Sequence, residues 1–151
     1  MEIDELLEHA AEEAFVGVSK GDGGPFGAII VDSNGNVISK GHNMVLCTND
    51  PTNHAEVVAI REACKKLNTY DLSGCTIYSS CEPCPMCLSA IIWSNIKTVY
   101  FGADRKDAAN VGFRDDAIYE FLNGNNKIIE SHSIENNFCK EVLNNYGGKR
   151  Y

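Results

Sequence analysis

A chain of 151 residues with 44% hydrophobic and 23% charged side chains holds enough apolar material for one folded domain with its own core. Its formal net charge of -8 disfavours a nucleic-acid partner: phosphate binding needs a basic stripe, and the only compact basic groups are Lys65-Lys66, Arg105-Lys106 and Lys149-Arg150. No apolar run nears the ~20 residues of a membrane span, the acidic start Met1-Glu2-Ile3-Asp4-Glu5 is unlike a secretion signal, and 7 cysteines, an odd count, fit buried thiols or metal ligands in the cytoplasm.

The spacing of Ile3, Leu6, Leu7, Ala10, Ala14 and Val18 predicts an amphipathic helix over residues 2–18, ended by Gly21-Asp22-Gly23-Gly24-Pro25. Residues 26–31 and 37–40 flank an Asn34-Gly35 turn and predict a β-hairpin. Residues 43–53 read as loop. A helix over about 54–67 carries Val57, Val58, Ile60, Ala63 and Leu67. A short buried strand follows at 75–78, then a helix at about 84–93, a strand at 99–101 and a short helix at 116–122. The stretch 123–137 is rich in Asn and weakly periodic, and carries no assignment. Strands alternating with helices predict an α/β layered sandwich whose sheet is partly parallel with one antiparallel hairpin. No repeat or linker interrupts it, so residues 1–151 are expected to form a single domain.

Two segments carry the chemistry: His54-Ala55-Glu56 and Pro83-Cys84-Pro85-Met86-Cys87, each opening a predicted helix. Cys84 and Cys87 are three apart, so on a helix their sulfurs share one face. Zinc takes thiolates and imidazole in near-tetrahedral geometry, and a catalytic site keeps its fourth position for water. Helix N-termini are partially positive, which favours the thiolate. His54, Cys84 and Cys87 thus predict one Zn2+ per chain with an open position. Glu56, two residues from His54, is the expected acid–base residue, taking a proton from water and returning it to a leaving amine. A redox Cys-x-x-Cys pair, or a structural zinc site completed by His42, Cys81 or Cys75, remains open on these residues alone. Together and in this order the segments form the H-x-E…P-C-x-x-C signature of zinc deaminases.

The chain resembles the cytidine-deaminase-like superfamily and, within it, the small bacterial guanine deaminases. The resemblance covers about residues 5–122 and is densest in Gly23–Val31 (GGPFGAIIV), Asn49–Glu56 (NDPTNHAE), Ser80–Leu88 (SCEPCPMCL) and Ala108–Asp115 (AANVGFRD). The second and third blocks are shared with tRNA adenosine deaminases; the first and fourth, with Trp93, point to guanine deaminase. The resemblance implies a three-layer α/β/α sandwich around a mixed sheet of about five strands, and zinc. It also implies a homodimer that exchanges its C-terminal segment, here about 123–151. The implied reaction is guanine plus water to xanthine plus ammonia; guanosine, cytosine or a pterin-like ring are the small-molecule alternatives, tRNA adenosine deamination a further one, and a non-catalytic zinc or thiol protein the alternative class.

Position by position, the resemblance makes Asn43 a base-binding residue and Asp115 a contact to the purine's polar edge. It makes Phe26 and Trp93 aromatic walls, Ala55 a backbone contact, and Tyr151 a residue that closes the site. Each also has a plain structural reading. Asp115 or Asp116 would cap a helix, Phe26 and Trp93 would pack in the core, Asn43 would make a turn, and Tyr151 would fray. Arg114 stands where an aspartate is expected and Ser89 where glycine is usual. Beyond Asn123 no second acidic residue, such as Glu135 or Glu141, can be carried over.

Overall fold

The computed structural model describes all residues from Met1 to Tyr151. Helix α1 (Ile3–Lys20) leads into strands β1 (Gly27–Val31) and β2 (Val37–His42), then α2 (Val45–Thr48) and α3 (Ala55–Leu67). Strand β3 (Thr76–Cys81), α4 (Pro85–Trp93) and β4 (Thr98–Ala103) follow, with α5 (Arg105–Asn110), α6 (Asp115–Leu122) and α7 (Asn137–Asn144) at the end. No helix is long and apolar enough to cross a membrane.

The sheet has the order β2-β1-β3-β4, with β1 antiparallel to both neighbours and β3 parallel to β4. A parallel pair needs a crossover, and α4 supplies it. Every residue of β1 is buried, because both faces of the sheet are covered. Ala28 and Ile30 point into a cluster with Ala55, Ala59 and Ala63 of α3, Ile77, and Ile91 of α4. Ile29 and Val31 point the other way, against Leu6 and Ala10 of α1 and Tyr78. This alternation makes the three-layer α/β/α sandwich.

The sheet has four strands, not about five: residues 126–136 form neither helix nor strand. β4 is therefore an edge strand, with Tyr100 and Phe101 partly exposed. Three helices lie outside the sequence-based expectation. α2 is a four-residue turn within the expected loop, α5 rests on a capping box between Asp104 and Asp107, and α7 on its Asn136 N-cap.

Register places the site. Gly27 pairs with His42, Ala28 with Ser79, and Cys81 with Ala103. One edge of the sheet therefore carries Phe26, Asn43, Glu82 to Cys84 and Asp104. Helix α3 reaches that edge by lying close on β2: a Cβ added at Gly41 would stand 2.6 Å from the Ala55 carbonyl oxygen and 2.8 Å from the Ala59 nitrogen. These are backbone atoms and cannot turn aside. Gly41→Ala should lower stability by about 1–3 kcal/mol, the usual cost of overpacking, as read by urea or thermal unfolding. Unchanged stability would mean that α3 is not held at this contact.

Candidate active site

Helices α3 and α4 both start at the sheet edge, and each starts on a candidate ligand. His54 is the residue before α3, with φ -71° and ψ 159°, and Cys84 the residue before α4, with φ -65° and ψ 167°. Neither side chain caps its own helix, so both are free to turn outward. Pro85 suits the first helical position, where no backbone donor is needed. Cys87 lies one turn further along α4, on the same face as Cys84.

The three groups converge. His54 Nδ1 is 3.6 Å from Cys84 Sγ and 3.4 Å from Cys87 Sγ, and all three ligand atoms lie within 4.8 Å of one another. A tetrahedron with Zn–S and Zn–N bonds of ordinary length has an N–S edge of about 3.6 Å, so the spacing fits one zinc ion. Cys84 and Cys87 are buried, and the thiols behave as a pair. A hydrogen bond from the Cys87 thiol, then one from His54, lowers the Cys84 pKa to about 4 against the opposing effect of burial. The same hydrogen bond and burial push Cys87 the other way. Cys81, Cys75 and His42, the possible fourth ligands, are not part of this group.

Beside the trio opens a cleft of about 360 Å³. Glu56, in the first turn of α3, lies in it and is only 6% exposed. Burial raises its pKa to about 7, so near neutrality the group can either hold or release a proton. Asp115 enters the cleft from α6, and burial raises its pKa also. It is the first residue inside α6, whose N-cap is Arg114. Asp116, by contrast, pairs with Arg105 at 3.3 Å.

Asn43 is buried and does make a turn: its Oδ1 accepts from Gly24 N at 3.3 Å and Val45 N at 3.0 Å. With Oδ1 so engaged, Nδ2 is the donor left for the cleft. Phe26 lines the cleft edge-on to Phe113, ring centroids 4.8 Å apart at 83°. Ala55 is fully buried in the core cluster between His54 and Glu56, and contributes backbone there.

Trp93 and Tyr151 do not line this cleft within the chain. Trp93 ends α4, whose other end meets the metal trio, and nine residues of helix separate them by about 13 Å. It is 64% exposed and packs on Tyr151, centroids 5.9 Å apart, with Tyr70 also against Tyr151. Residues given no role from sequence also line the cleft: Glu82, Phe113 and the Val45-Leu46 pair of α2, together with Arg114, which departs from the family pattern. Phe113 has a signal, an aromatic two residues before a helix in the Ala108–Asp115 block; α2 has none.

The loop holding Cys84 is tied from α5 and α6. Tyr119 Oη donates to the Pro83 carbonyl at 2.7 Å, Arg105 lies 4.4 Å over the Tyr119 ring, and Glu82 accepts from Arg105 N at 3.0 Å. Ser89 bonds back to the Pro85 carbonyl at 2.8 Å, which satisfies its hydroxyl within the helix.

Residues 1–103 match the family described as the cytidine and deoxycytidylate deaminase zinc-binding region. The chain is 52% identical over 120 residues to a guanine deaminase of Bacillus subtilis, covering 80% of this chain and 76% of that one. It is 49% identical over 102 residues to a tRNA-specific adenosine deaminase of Aquifex aeolicus, covering 67% and 66%. The X-ray structure of Bacillus subtilis guanine deaminase superposes with a TM-score of 0.90 at 42% identity, over 100% of this chain and 99% of that one. Guanine deaminase from Nitrosomonas europaea gives 0.67 at 32% identity, over 72% and 62%. The family match spans both halves of the metal trio, and the fold agrees with a solved relative from end to end: the chain belongs to the cytidine and deoxycytidylate deaminase zinc-binding family.

Proposed function

We propose that the chain is a guanine deaminase, hydrolysing guanine to xanthine and ammonia. The observation that carries this reading is a buried glutamate, Glu56, sharing one aromatic-flanked cleft with His54 of a zinc-fitting trio. His54, Cys84 and Cys87 are the residues that would hold zinc. When bound, zinc supplies Lewis acidity and a water whose pKa can fall to ~7.

The protein's own groups do the rest. Glu56 takes a proton from the water and returns it to the departing amine, and its pKa of about 7 suits both transfers. Phe26 and Phe113 flank the flat ring. Asn43 donates through Nδ2 to an acceptor on the base, and Asp115 accepts from its N–H edge. Ala55 offers backbone in the first turn of α3, where N–H groups lack helical partners. Loss of NH3 from the ring carbon and gain of oxygen from water balance the reaction.

Transfer RNA as substrate is opposed by the net charge of -8 and the absence of a basic stripe in the sequence. Parallel incubation with guanine, guanosine and an adenosine-containing anticodon stem-loop, with ammonia and product detection, separates the readings. Xanthine from guanine alone is expected, and deamination of the stem-loop alone would replace guanine as the substrate.

The active unit in this proposal is a homodimer of one-domain chains that exchange residues 123–151. Every residue from Glu130 to Tyr151 is exposed, including Phe138, Val142 and Leu143 of α7. Eight residues with such a face are too few to stand as a helix in water unaided. Ile92 and Trp93 offer a further exposed apolar surface beside Tyr151. In the exchanged dimer of this proposal a second copy covers these faces, and Tyr151 closes the partner's cleft. Ligation needs Cys84 and Cys87 reduced, which suits the cytoplasm.

Glu56→Gln replaces a buried acid with a neutral amide of the same shape; turnover should fall about 10²–10⁴-fold with zinc still near one per chain. Cys84→Ala should remove the zinc, measured by metal analysis. Retained activity in the first, or full metal in the second, would overturn the assignments. Deleting residues 137–151 should convert dimer to monomer in sedimentation, and deleting Gly148–Tyr151 should reduce kcat/KM by about tenfold at constant zinc, the scale of one lost binding contact.

A further inference from the structure

His42 lies outside the reacting groups, yet both of its ring nitrogens are engaged. Nδ1 is 3.0 Å from Glu13 Oε1 on α1, and Nε2 is 2.8 Å from Asp22 Oδ2 in the turn after α1. An ionised carboxylate only accepts, so with both carboxylates ionised the two contacts are both hydrogen bonds only when the ring is an imidazolium. It is mostly buried, its side chain 12% exposed. It rests directly on Gly17, where an added Cβ would meet Cδ2 at 2.6 Å.

The ring joins three segments that together make one wall of the cleft. Asp22, besides holding Nε2, accepts from Leu46 N and Cys47 N at 3.0 Å through its carbonyl oxygen. Gly23 and Gly24 follow Asp22 and line the cleft, as do Val45 and Leu46. Asn43 follows His42, and its Oδ1 holds Gly24 N and Val45 N. Shifting Asp22 would thus move the turn, α2 and the Asn43 amide together.

We propose that His42, clamped between Glu13 and Asp22, is a positioning residue for base binding, fixing the wall that presents Asn43. The kinetic half of this proposal rests on the guanine deaminase reading; the structural half does not.

Other charged groups near the clamp are few. Lys20 of α1 acts on Asp22, and the Cys47 thiol of α2 faces Asp22, which raises that thiol's pKa after the larger effect of burial. From α3, Ala55 and Val58 pack behind the neighbouring Gly41. Burial alone would lower the His42 pKa; the hydrogen bonds to Glu13 and Asp22 outweigh it and leave it raised. A raised value means that the clamp is whole below the ordinary histidine pKa of ~6.5 and opens as pH rises through the folded value.

The test uses the full-length, zinc-loaded protein, wild type and the variants His42→Gln and Glu13→Gln. NMR titration should place the His42 ring above its ordinary pKa, and Glu13→Gln should bring it down. His42→Gln should raise the KM for guanine about tenfold with kcat within about twofold, the pattern of lost ground-state binding. The wild-type rise of KM toward alkaline pH should be missing in this variant. Unchanged KM and pH profile, or a parallel collapse of kcat, zinc and Tm, would overturn the proposal in favour of a merely structural histidine. Should guanine not be turned over at all, the substrate reading fails, and amide exchange still decides the clamp. Faster exchange at Val45, Leu46 and Cys47 in both variants supports it, and unchanged exchange overturns it.

Discussion

Everything in this molecule is arranged around two helix starts that meet at one edge of a sheet. His54 and Cys84 stand at positions where a helix ordinarily carries a capping Ser, Thr or Asp, and their extended backbones swing the side chains clear of their own helices. That placement needs α3 to lie on β2 without a side chain between them, which Gly41 permits. It also needs β3 to end beside β1 in the observed register. The residues α3 gives to the core beneath, Ala55, Ala59 and Ala63, are small for the same reason, and the bulk comes from Ile30, Ile77 and Ile91 of the neighbouring elements.

Electrostatics then sorts the groups at this edge. Hydrogen bonds from Cys87 and then His54 favour thiolate at Cys84, while burial in the first turn of α3 raises the Glu56 pKa to about 7. A thiol and a carboxyl thus sit in one site with opposite tendencies. The thiolate suits metal ligation, and the carboxyl poised near neutrality suits proton transfer.

Much of the fold is legible in the residues. The spacing from Ile3 to Val18 locates α1, the Asn34-Gly35 turn locates the hairpin, and two ligand segments each mark a helix start. Elements held by polar caps are harder to see by apolar period. α5 rests on Asp104 and Asp107, a pairing visible only if the capping box is sought, and α7 has eight residues with no core to face. At the site, the metal trio and Glu56 follow from residue type and spacing, because few arrangements serve that chemistry. Trp93 shows what spacing along the chain does not convey: the rise of α4 carries it to the end of the helix away from the metal trio, where it packs on Tyr151. Phe113 has the reverse history, unremarked in sequence and placed by folding against Phe26.

The edge strand β4 has a consequence for the life of a newly made chain. Its outer row of backbone groups has no strand to pair with, and Tyr100 and Phe101 stand beside it partly in water. Such a row is a ready template for another strand. The sheet that seals the core through β1 and β3 thus stays open to extension along β4, and a strand laid there would cover the two rings as it completed the backbone pairing.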